Sequence, residues 1–76
     1  MKNRAVTAAD IGMAVREKRK EDGLTLADAA ALSGVGYRFM SDLENGKETM
    51  QVGKILKVLT ALGLNMIIEA RKWPNE

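Results

Sequence analysis

The chain has no cysteine and no histidine among its 76 residues. The first absence excludes disulfides, and the two together exclude a zinc site built from thiolates and imidazoles. They also leave Ser33 and Ser41 with no base to activate them as nucleophiles. No apolar run is long enough to span a bilayer, and the opening MKNRAVTAADIG lacks the apolar stretch of a secretory signal. A chain without cysteine suits a reducing cytosol, so a cytoplasmic protein without a membrane role is expected. The short run Gly34-Val35-Gly36 lacks the strand and the later glycine of a nucleotide loop. No acid pair in an evident cleft is visible. An enzyme is therefore the least supported class, and no cofactor or metal is expected. Seventy-six residues make one domain with a marginal core. With disulfide and zinc staples excluded, association with a second copy is the device left to support it.

Net charge is only +2, which says little about partners. The placement says more. Lys2, Arg4, Arg16, Lys18, Arg19 and Lys20 crowd the first twenty residues, and Arg38 and Lys47 flank one short segment further on. A folded domain can gather several of these toward phosphates. The competing reading is a solvated helix face, and it is strongest for Lys18 and Lys20.

The pattern along the chain is mostly helical. Thr7 with Asp10 three residues on is a capping-box signal for a first helix. Ile11, Ala14, Val15 and Lys18 then share one stripe. Gly12 weakens this helix, and Asp22-Gly23 ends it with glycine as the left-handed residue. Thr25 with Asp28 opens a second, Ala-rich helix that runs to about Leu32. Ser33-Gly34 makes a turn. A third helix begins near Gly36, runs to about Glu44 and stops at Asn45-Gly46. Residues 47–50 form a loop. A fourth helix runs from about Gln51 to Leu62, with Val52, Ile55, Leu56, Leu59 and Leu62 as a continuous apolar stripe, and Gly63 closes it.

After Gly63 the period changes. Leu64, Met66 and Ile68 alternate with Asn65, Ile67 and Glu69, which fits a strand over 64–70. No second strand candidate exists in the chain, and unpaired backbone groups are costly when buried. The economical solution pairs the strands of two copies across a two-fold axis, through Leu64, Met66, Ile67 and Ile68. The competing reading continues 64–70 as a short helix or a loose tail. Residues 71–76 read as an irregular tail. Its Trp73 either packs on its own domain or is exposed for another protein, since tryptophan is enriched at binding hot spots.

The segment from Leu24 to Gly46 carries the most information. Two short helices are joined by a tight turn at Gly34, with small or apolar residues (Ala30, Val35, Met40 and Leu43) where they must touch. This is the layout of a helix-turn-helix spanning 25–45, whose second helix is presented to the DNA major groove. Entering N-terminus first, that helix turns Gly36, Tyr37, Arg38 and Ser41 toward the bases. The Arg38 fork can bond guanine O6 and N7 together, worth roughly 1–3 kcal/mol of discrimination; its alternative role is a phosphate contact. Tyr37 can meet a thymine methyl or a phosphate, or shield the turn. Ser41 can serve bases or phosphate, or cover the helix flank. Gly36 offers only its N–H and close approach. Phosphate contacts are expected from Thr25 at the N-terminus of the second helix, and from Lys47 and Arg16, with a plain capping role as the alternative for Thr25.

The run GLTLADAAALSGVGYRFMSDLENGK resembles the helix-turn-helix of the Xre-type repressors, the group that includes Cro and lambda-type repressors. Gly23-Leu24-Thr25, Ala30, Ser33-Gly34-Val35 and Leu43-Glu44-Asn45-Gly46-Lys47 stand at the family spacing, and the likeness extends from about Ile11 to Ile68. Within that group the spacing of MAVREKRKEDGLTL, the run GKETMQVGKILKVLTALGLNM and the terminal strand are most similar to HipB-like antitoxins. The resemblance implies a mainly α fold, a four- to five-helix lambda-repressor-like domain with one C-terminal strand pairing across a homodimer. It implies a repressor that binds double-stranded operator DNA upstream of its own operon and also binds a HipA-type kinase toxin, with Trp73 a candidate toxin contact. It further implies an ion pair between Arg19 and Glu44, tying the first helix to the third, so Arg19 is not counted as a DNA contact. Two departures stand out. Leu26 occupies the position where the family commonly has a DNA-contacting Gln, and Ala29 stands where a larger apolar residue is common. A stand-alone phage-like repressor, a restriction-modification controller, and an interaction module that has lost DNA binding are the alternatives.

Overall fold

Two Thr-x-x-Asp pairs set where the first two helices begin. Thr7 Oγ1 accepts from the N–H of Asp10 (3.2 Å), and Asp10 Oδ2 accepts from the N–H groups of Thr7 (3.1 Å) and Val6 (2.9 Å). Thr25 and Asp28 repeat the exchange at 3.0 and 3.1 Å. Each box satisfies N–H groups that the helix itself leaves without partners. In the computed structural model, which describes residues 5–70, these boxes open α1 (Ala8–Glu21) and α2 (Leu26–Ser33), and α3 (Tyr37–Glu44) and α4 (Val52–Ala61) follow. Four helices, not five, are present among the described residues.

All four helices end in the same way. A glycine with positive φ follows the last turn (Gly23, Gly34, Gly46 and Gly63), and the next residue's N–H reaches back to a carbonyl five residues earlier. Leu24 donates to Arg19, Val35 to Ala30, Lys47 to Asp42 and Leu64 to Leu59, at 2.7–3.0 Å. The glycine's own N–H bonds the carbonyl three residues back in each case. This is the Schellman closure, in which the left-handed residue turns the chain sharply while satisfying the last carbonyls.

Each helix sends one side chain into a common core with no exposure at all: Val15, Ala29, Met40 and Val58. Ala30, Leu43, Leu59 and Leu62 complete it, and Ile11, Leu24, Leu26, Val35, Phe39, Ile55 and Leu64 pack on its edge. The expected α4 stripe needs correcting. Val52 is 62% exposed and Leu56 is also exposed, whereas Val58 is at the centre. Positions 55, 58, 59 and 62 form the inward face, three and four residues apart. Val52, in the first turn, lies off that face.

Among the glycines, Gly12 has the closest neighbours. A Cβ there would collide with the Leu43 carbonyl oxygen and lie 2.9 Å from that of Glu44. Gly46 answers from the other side, where a Cβ would be 3.0 Å from Ala9 Cα. The glycine that weakens α1 as a helix is therefore what lets α1 lie against the end of α3. Beyond Leu64 the chain runs without helix or strand to residue 70, with Met66, Ile67 and Ile68 all exposed. The expected strand over 64–70 is not formed, since the described residues of the single chain hold no second strand to pair with it. Trp73 and the tail, like Lys2 and Arg4, lie outside the described residues.

Candidate nucleic-acid interface

The amphipathic pattern of α3 decides what faces outward. Met40 and Leu43 are buried in the core, on the side where α3 packs against α1 and α2, so the opposite side of the helix faces solvent. Gly36 is its exposed N-cap in extended conformation, with no side-chain cap bond. Tyr37 follows, exposed, and the Arg38 side chain is 90% exposed. Ser41 is half-buried on the helix flank. The structure thus groups Gly36, Tyr37 and Arg38 at one exposed end of α3, with Ser41 a turn further on.

The other candidates are spread more widely. Lys47 is exposed just after α3. Its N–H donates to the Asp42 carbonyl at 3.0 Å and its ammonium lies 3.6 Å from Asp42 Oδ2. Thr25 is engaged in its capping box, and the Asp28 carboxylate in the first turn of α2 adds a negative charge where a phosphate would approach. Arg16 is exposed on α1, an element apart from α3. Lys18 forms an i,i+4 ion pair with Asp22 at 2.8 Å. Leu26, the departure from the family pattern, opens α2 half-buried against the core rather than facing solvent.

Arg19 and Glu44 form a two-pronged ion pair. Nε and Nη2 of Arg19 donate to the two Glu44 carboxylate oxygens at 2.6 and 3.1 Å, and Nη1 donates to the Leu24 carbonyl at 2.7 Å. Both side chains are nearly buried, 11% and 6% exposed. The Glu44 hydrogen bonds hold Arg19 charged against the opposing effect of burial. The pair locks α1 to the C-terminal end of α3 and orients α3 without touching its outer face.

Three residues were missed in the sequence. Asp42 lies between Arg38 (Nε–Oδ1 3.7 Å) and Lys47. Lys54 of α4 sits over the Phe39 ring, 5.8 Å from its centroid. Lys57 lies beside the helix-turn-helix turn, its Nζ 3.7 Å from where a Gly34 Cβ would stand. The Arg38–Asp42 spacing of four is readable on a helix; the approach of Lys54 and Lys57 depends on how α4 crosses the motif. A shallow cleft of about 180 Å³ opens beside α3 between Phe39, Asp42, Lys47 and Lys54.

This arrangement has the parts of a DNA-reading motif: an exposed recognition helix, a tight glycine turn, and a preceding helix packed across it. The Helix-turn-helix family model matches residues 15–67. The chain belongs to the helix-turn-helix family. It is 50% identical over 70 residues, 92% of each protein, to the uncharacterized HTH-type transcriptional regulator y4mF of Sinorhizobium fredii. Its fold is also that of a chain in the HipA–HipB–O2–O3 complex, with a TM-score of 0.82 and 21% identity over 93% of this chain and 100% of that one. The restriction-modification controller protein C.AhdI from Aeromonas hydrophila is 31% identical, with a TM-score of 0.68 over 76% of this chain and 88% of that one. Among the described residues, no helix is long and apolar enough to cross a membrane.

Proposed function

We propose that this helix-turn-helix regulator is a sequence-specific transcriptional repressor that binds a palindromic operator as a homodimer and serves as the antitoxin of a HipA-like kinase toxin, repressing its own operon. The observation that carries the DNA-binding part is the exposed end of α3, where Gly36, Tyr37 and Arg38 stand free of the core that holds the helix in place. Arg38 reads a base edge, with Tyr37 and Ser41 beside it. Lys47, Arg16 and Thr25 contact phosphates, and the basic residues make binding salt-dependent. Exposed Met66, Ile67 and Ile68, with Leu64, pair with the same segment of a second copy. Two recognition helices about 34 Å apart then meet successive turns of one groove face. The toxin partner rests on the likeness to the HipA–HipB complex chain, with Trp73 as a candidate contact.

Duplexes selected from a random pool, and a duplex from the region upstream of the gene, test this directly. Affinity is expected to fall steeply with salt and to drop when Arg38 becomes Ala. Affinity unchanged from low to high salt would remove the phosphate-contact scheme, and an unaffected Arg38→Ala variant would favour an interaction module. The second reading, a restriction-modification controller, is supported by the higher identity to C.AhdI. Co-purification with the product of an adjacent kinase-like reading frame separates the two.

A further inference from the structure

The outer face of α3 carries an acid among its bases. Asp42 lies one turn after Arg38 and is partly exposed (28% of its side chain). Its Oδ1 lies 3.7 Å from Arg38 Nε and its Oδ2 3.6 Å from Lys47 Nζ, while its own carbonyl receives the Lys47 N–H. One carboxylate thus faces two cations, Arg38 in the first turn of α3 and Lys47 just after its end. A carboxylate beside DNA phosphates is repelled by every sequence equally, so its charge alone lowers all affinities without setting a preference, and any preference has to act through Arg38.

We infer that Asp42 is a positioning residue that holds Arg38 for base readout. This rests on Arg38 being the base-reading residue. The contact is made at Nε, and the side chain remains 90% exposed. A carboxylate on Nε leaves the terminal nitrogens available for guanine O6 and N7, which need a planar fork in a fixed orientation. In the free protein the pair is long and solvated, so it contributes little to stability. When DNA excludes water from the groove the same contact strengthens. Lys47 donates its N–H to the Asp42 carbonyl and faces the carboxylate at 3.6 Å, which places it at the end of α3 beside the phosphate path.

The test compares affinity for a duplex selected by the wild-type protein with affinity for a random duplex of equal length. The variants are Asp42→Asn, Asp42→Glu, Arg38→Ala and the Arg38→Ala/Asp42→Asn pair, with thermal melting to check folding. Asp42→Asn is expected to bind random DNA more tightly and to lower the selected-to-random ratio by about three- to tenfold, a part of what one base contact supplies. Asp42→Glu, which keeps the carboxylate, is expected to restore most of the ratio. In the Arg38→Ala background Asp42→Asn is expected to change selected-site binding no more than random binding. If Asp42→Asn leaves the ratio unchanged, or lowers it equally with and without Arg38, the positioning role fails while the reading of Arg38 stands. If Arg38→Ala itself leaves the ratio unchanged, the base-reading assignment fails first.

Discussion

Arg19 and Glu44 show at the level of single residues how an orientation is stored. Their two-pronged contact is nearly buried, and the third guanidinium nitrogen is satisfied by the Leu24 carbonyl. Removing one partner strands a charge in a desolvated place. Arg19→Ala or Glu44→Ala is therefore expected to destabilise the fold by about 3–5 kcal/mol, while an apolar pair of matching volume at both positions loses much less. Chemical denaturation of the two single variants and the double variant checks this, and an additive double loss would contradict the coupling. The pair is legible in the sequence only through the family likeness, because its members are 25 residues apart and no local spacing links them.

At the level of elements, the helix ends were the most legible part of the chain. Thr-x-x-Asp and a following glycine are local signals, and the starts of α1 and α2 and all four glycine stops follow from them. Burial was less legible. Val58, not Val52 or Leu56, faces the core because the crossing of α4 over α2 selects the face, and that crossing is not written in the periodicity of α4 alone. Gly12 reads in the sequence as a weak spot, yet it sits where two carbonyls of α3 press on α1. Gly12→Ala is expected to destabilise by about 1–3 kcal/mol through overpacking, although alanine is the better helix former; a rise in melting temperature would refute the close-approach argument. The capping boxes add a pH dependence. Backbone N–H groups of Val6 and Thr7 hold the Asp10 carboxyl below its ordinary 3.8, and that of Thr25 does the same for Asp28. Because both values are depressed by folding, their stabilisation is present above the ordinary value and is lost as pH falls through the lowered one. Melting temperature is expected to fall below about pH 4, less so in Asp10→Asn and Asp28→Asn variants, as thermal scans across that range can show.

At the level of the whole molecule, the small core and the exposed apolar end belong together. Ile67 and Ile68 are 77% and 91% exposed in the single chain. The alternation of Leu64, Met66 and Ile68 with Asn65, Ile67 and Glu69 predicts a strand, but a strand needs an edge, and among the described residues this chain contains none. A second copy that supplies the edge ties stability to concentration. Melting temperature is therefore expected to rise with protein concentration, and Ile67→Lys is expected to abolish that rise and to leave a monomer on sizing columns. A wild-type chain that melts at one temperature at every concentration would set the pairing aside.

The division of labour along α3 has a consequence for how such a regulator diversifies. Met40, Leu43 and Glu44 carry the architecture, whereas Tyr37 and Arg38 bear almost none of it. Under the proposed reading, in which the outward pair meets the bases, target preference can drift by exchanging that pair while the inward set stays untouched. Paralogues sharing one scaffold then acquire separate targets without each having to refound a stable fold.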